Sequence, residues 1–96
     1  MDRAQVLERL RHHREELATM GVASIALFGS VARNEATAES DVDLLVEFGV
    51  PVGLFEYFAV QERLEQVLGV RVDLVTPAGL KPGIRERVLR EAISAA

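Results

Sequence analysis

The chain has 96 residues, 49% hydrophobic and 27% charged, which suits one soluble domain around one core. A net charge of −4 argues against nucleic acid as the main partner, and no apolar run approaches the roughly 20 residues of a membrane span. Without cysteine there is no disulfide and no thiolate metal site, and the charged, amphipathic N-terminus does not read as a signal peptide, so a cytoplasmic home is expected.

Residues Asp2 to Met20 read as one helix. Val6, Leu10, His13, Leu17 and Met20 form one stripe at 4, 3, 4 and 3 spacing. Asp2 can cap its start with Gln5 as the capping-box partner, and Gly21 supplies a stop. His12 and His13 read as surface or packed residues. Val22 to Phe28 is an apolar first strand. Gly29 to Asn34 can turn into a short helix, and Glu35 to Ser40 is a polar loop. Asp41 to Phe48 is the second strand. After the break at 49–53, Leu54 to Leu68 is a long helix with Leu54, Tyr57, Val60, Leu64, Val67 and Leu68 on one side. Phe55 and Phe58 widen that face. Val70 to Val75 is a β-branched third strand. A last helix is expected from about Ile84 to Ile93, with Pro82 near its first turn and Ile84, Val88 and Ala92 inward, beside Leu89 and Ile93. Ser94 to Ala96 is expected to fray.

The second strand, long helix and third strand make a β-α-β unit, hence a parallel pair. The connection between strands one and two is too short for a full crossover, so they should be antiparallel. The expected fold is α/β (α+β): a small mixed β-sheet of about three strands with helices packed against it, in one domain spanning 1–96.

Acids stand out against this frame. The chain holds four Asp, and Asp41, Asp43 and Asp73 fall in or beside strands that should be buried. Alternation puts Asp41 and Asp43 on one face, with Val42, Leu44, Val46 and Phe48 on the other. Asp73 joins that face if strands two and three are neighbours. Three close carboxylates repel, and a divalent cation relieves the repulsion. Oxygen ligands alone suit Mg²⁺ or Mn²⁺, in one or two copies. Gly29 and Ser30, at the strand-to-helix turn, can cradle a triphosphate, and Arg33 lies one turn further on. Neither a P-loop nor a dinucleotide fingerprint is present.

Leu27-Phe28-Gly29-Ser30-Val31-Ala32-Arg33, ten residues from Ser30 to Asp41-Val42-Asp43, and a lone Asp73 on a later strand resemble the nucleotidyltransferase superfamily related to DNA polymerase β. The shortness and wording of these stretches are similar to its minimal nucleotidyltransferases, the MntA-like antitoxins of HEPN–MNT pairs. The resemblance implies ATP as substrate, Asp41 and Asp43 as Mg²⁺ ligands, and Asp73 as a further ligand or base. It also implies phosphate contacts from Gly29 and Ser30; Arg33 and Ser40 stand beside them as further candidate nucleotide-binding residues. By the same resemblance, AMP would pass to a hydroxyl, such as a tyrosine's, of a partner HEPN ribonuclease toxin in a hetero-oligomer. Two alternatives stand beside this: a homodimeric enzyme for a small-molecule acceptor, and a non-catalytic antitoxin that only binds. Larger relatives carry a separate acceptor domain; 96 residues leave no room for one, so the acceptor site is expected on another molecule.

Overall fold

The computed structural model describes residues 1–37 and 39–95. Its order is α1 (Arg3–His12), α2 (Arg14–Thr19), β1 (Val22–Phe28), α3 (Gly29–Ala32), β2 (Val42–Phe48), α4 (Leu54–Leu68), β3 (Val72–Val75), a 3₁₀ turn (Pro77–Gly79), α5 (Pro82–Glu91) and β4 (Ile93–Ser94). The sheet runs β3-β2-β1-β4. β1 and β2 are antiparallel, and β2 and β3 are parallel, as the connection lengths require.

Alternation along β2 divides the molecule. Val42, Leu44 and Val46 are buried against α1, α2 and α4. Val6, Leu10, Leu17, Val60, Leu64 and Leu68 come down from those helices onto Ile25 and Leu27. Leu64 is fully buried. Leu64→Ala should therefore lower the unfolding free energy by about 2–5 kcal/mol, read as a drop in the urea midpoint at unchanged slope. A midpoint within error of the wild type would contradict this packing.

The first helical stretch is two helices, not one. At His13 the backbone N–H reaches both Arg9 O and Leu10 O at 3.2 Å, and the ring Nδ1 lies 2.9 Å from Arg9 O. That side chain competes for a helical carbonyl and the axis breaks there. The capping box of Asp2 and Gln5 is formed as expected. α4 has the expected bounds and ends at Gly69, whose φ of 71° is a left-handed cap.

α4 also closes the free edge of β3. Tyr57 donates its hydroxyl to Leu74 O. Gln61 Nε2 donates to Val72 O at 3.1 Å, and Glu65 Oε2 accepts from Val72 N at 3.0 Å. Spaced by four, these side chains occupy backbone groups that would otherwise invite another strand.

Several expectations need correction. The sheet has four strands: Ile93 leaves the last helix to pair with Leu27, and Ser94 pairs with Ala26. Ser94 and Ala95 therefore do not fray; Ala95 is buried and its N–H donates to Ile25 O at 2.9 Å. Ala96 lies outside the described residues. α5 accordingly runs from Pro82 to Glu91, and its buried residue is Val88, while Ile84 and Leu89 are exposed. β3 begins at Val72 and β2 at Val42, so Asp41 sits just ahead of its strand. Leu54 does not belong to the inner stripe of α4, and Phe55 and Phe58 do not widen it; all three are exposed.

Candidate active site

β1, β2 and β3 bring the chemistry-bearing residues to one level of the sheet. Phe28, last in β1, pairs with Asp43, and Asp43 pairs with Asp73. Paired residues on neighbouring strands share a face, at steps of about 5 Å. The Gly-Ser turn, Asp43 and Asp73 thus follow one another across the sheet.

Gly29 is required there for two reasons. Its φ is +76°, in the left-handed region. A Cβ on it would lie 2.9 Å from Asp43 Cγ and closer still to Oδ2. The turn and the carboxylate are built against each other, and only a residue without a side chain lets them meet.

Asp43 is half-buried, and its pKa is raised from 3.8 to about 6. Burial is the main cause, followed by the charge of Asp73, a hydrogen bond with it, and the charge of Asp41. Arg33 acts in the opposite sense. Asp73 is exposed. Asp41 is exposed too, and its Oδ1 lies 3.9 Å from Arg71 Nε, a long and weak surface pair.

The remaining sequence candidates are placed differently. Ser30 is half-buried within α3. Arg33 is engaged by acids, its Nε 3.1 Å from Glu35 and its Nη1 3.2 Å from Glu91. The hydrogen bond to Glu35 is the main reason its guanidinium holds its proton more firmly than usual. Ser40 closes the loop before β2, its Oγ accepting from Thr37 N at 2.9 Å.

The donor set is carboxylate oxygen, which suits a hard divalent cation. Part of the raised proton affinity of Asp43 comes from the charges of Asp73 and Asp41, and that repulsion is what such a cation would relieve. Among the described residues, however, no three His, Asp or Glu side chains converge to hold an ion. Asp43 and Asp73 meet, whereas Asp41 is turned toward Arg71. The acids fit a metal in chemistry and in sheet level, with Asp41 the one that has to reorient.

Two participants escaped the sequence reading. Glu91, from the end of α5, holds Arg33 near the Gly-Ser turn; a charged helix residue 58 positions away gives no local signal. Tyr57 read as part of the apolar stripe. Its hydroxyl in fact anchors the strand that carries Asp73, and burial first, then the charge of Asp73, raises its pKa.

The nucleotidyltransferase domain family matches residues 10–95. The chain belongs to this family. This minimal nucleotidyltransferase is 46% identical, over 85 residues, to the protein adenylyltransferase MntA of Thermococcus cleftensis, covering 88% of this chain and 86% of that one. A solved minimal nucleotidyltransferase shares 44% identity and superposes with a TM-score of 0.85, over 97% of this chain and 95% of that one. A toxin–antitoxin structure with AMP-PNP has the same fold, with TM-score 0.70 and 19% identity, over 100% of this chain and 73% of that chain. The nucleotidyltransferase fold that the resemblance implied, with its mixed sheet, is the fold observed. No helix among the described residues of the nucleotidyltransferase is long and apolar enough to cross a membrane.

Proposed function

We propose that this nucleotidyltransferase moves AMP from ATP, with Mg²⁺, onto a tyrosine hydroxyl of a partner HEPN-type ribonuclease and silences it as its antitoxin. One observation carries the reading: Asp43 and Asp73 adjoin on parallel strands, with Gly29 pressed against Asp43. The identity to a protein adenylyltransferase supports a protein acceptor. A toxin–antitoxin structure of the same fold, solved with AMP-PNP, accords with ATP as donor.

In this reading Gly29 and Ser30 present backbone N–H groups and a hydroxyl to the triphosphate. Asp43, and Asp41 once turned from Arg71, would hold Mg²⁺, which when bound would neutralise charge developing on the phosphoryl oxygens. Asp73, exposed beside Asp43, accepts the proton of the acceptor hydroxyl. That oxygen attacks the α-phosphorus in line; the new O–P bond forms as the bond to the β-phosphate oxygen breaks, and pyrophosphate leaves with the electron pair. Arg33 would have to leave Glu35 or Glu91 to reach a phosphate, and Ser40 shapes the loop that delivers Asp41.

The test incubates the chain with the HEPN-type ribonuclease, ATP and Mg²⁺ and reads intact mass. The ribonuclease should gain one or more AMP units and lose RNA cleavage. Asp41→Ala with Asp43→Ala should leave its mass unchanged. A folded ribonuclease that stays unmodified beside the wild-type chain would overturn the proposal.

A further inference from the structure

The first two turns of α4 leave large apolar side chains in solvent. Phe55 is 91% exposed, Leu54 72%, and Phe58 56%, with Val50 just ahead at 56%. Soluble surfaces scatter single apolar residues; two phenylalanines and a leucine within five positions are a patch. The patch adjoins a cavity of about 520 Å³ lined in part by Phe48, Val52, Leu54, Tyr57 and Leu74. Leu74, Val75 and Thr76, which directly follow Asp73, form its far wall. An apolar cavity of this size accepts several side chains of a docked partner.

Charge selects the occupant. From residue 39 to residue 65 the sole base is Arg63, and it is tied to Glu16 at 2.6 Å. Glu62 lies four residues after Phe58 and seven after Phe55, on the same exposed stripe. A second copy meeting this face about a two-fold axis would bring together two surfaces of the same acidic sign. A basic surface with apolar anchors fits instead. A ribonuclease has such a surface by necessity, because RNA is polyanionic.

We propose that Leu54, Phe55 and Phe58, with the adjoining cavity, dock the acceptor protein through a basic surface bearing apolar anchors. The inference rests on the proposed adenylyl transfer to a ribonuclease. α4 then has two faces with two duties. Its inner ladder of Tyr57, Gln61 and Glu65 fixes the strand of Asp73, and its outer stripe seats the acceptor beside that strand.

The experiment uses the full chain and the HEPN-type ribonuclease. Phe55→Ser and Phe58→Ser, singly and together, replace exposed side chains, so circular dichroism melts should match the wild type. The double variant should raise KM for the ribonuclease roughly 30-fold, with kcat and ATP affinity within about twofold of wild type. Glu62→Lys should raise KM severalfold at low salt, with the difference shrinking as salt is added. An unchanged KM in the double variant, with the wild type active, overturns the docking site. So does a wild-type dimer that the double variant abolishes without moving KM, because the occupant is then a second copy. If the wild-type chain leaves the ribonuclease unmodified, the proposed chemistry fails by itself. Calorimetric titration of the two proteins then decides docking. Binding lost in the double variant supports the site; equal binding, or none by the wild type, overturns it.

Discussion

Asp43→Asn should abolish transfer and, at the same time, make the protein more stable. The loss of activity is expected to exceed about 1,000-fold, because an amide cannot replace a carboxylate that holds the cation at the site of charge development. The gain in stability follows from the position of the carboxyl. Its pKa stands at about 6 in the fold against 3.8 when free, so the native state binds the proton more tightly than the unfolded chain. The stabilisation this provides is complete below about 3.8 and disappears as pH rises through 6. At neutral pH, therefore, the ionised Asp43 works against the fold. A displacement of that size corresponds to about 3 kcal/mol at most, and solvent reaches this side chain, so about 1–2 kcal/mol is expected. Asn keeps the volume and can donate to Asp73. Calorimetric melts without divalent ions should show the wild type losing stability from pH 5 to pH 7.5 and the variant holding steadier, with a Tm several degrees higher at pH 7.5. Added Mg²⁺ should narrow the difference by stabilising only the wild type. A variant no more stable than the wild type at pH 7.5 would show that Asp43 carries no such strain.

That conflict between stability and function is why the site was visible in the sequence. Acids in strands that otherwise read as buried violate local consistency, and such violations gather where a protein does chemistry. Alternation was enough to put Asp43 opposite the core, and the pairing of β2 with β3 brought Asp73 beside it. Connection length was enough to orient all three long strands. What stayed illegible depends on contacts remote in sequence. β4 is two residues long, too short a run for propensity to mark; Ile93 and Ser94 are strand because Leu27 and Ala26 are there to pair with them. His13 ends α1 through a side-chain competition that periodicity does not register. The exposure of Phe55 and Phe58 is the most informative miss. Helical spacing reports that residues share a face, and it is silent on whether the neighbouring face belongs to the same chain.

Gly29→Ala tests whether the turn and the acid form one unit. Two penalties are expected to add. An alanine held at φ +76° costs about 1 kcal/mol relative to glycine. Its Cβ, 2.9 Å from Asp43 Cγ, must also push the carboxylate or the β1–β2 pairing aside, as overpacking does, for about 1–3 kcal/mol more. Transfer should fall by at least about 100-fold even where the variant remains folded, because misplacing a reactive group by about an ångström is enough for that. The two penalties separate in a second background. With Asp43→Ala the obstructing carboxylate is gone and only the Cβ of residue 43, 3.1 Å away, remains, so Gly29→Ala should then cost little more than the backbone part, about 1 kcal/mol. The cycle of wild type, both single variants and the double, followed by urea unfolding, should give a coupling of about 1–3 kcal/mol. Equal costs of Gly29→Ala in both backgrounds would mean that the left-handed turn alone demands the glycine. A coupling of the expected size would mean that Gly29 is there for Asp43. The ten residues between Ser30 and Asp41 would then reflect a packing requirement as well as the shape of a phosphate site.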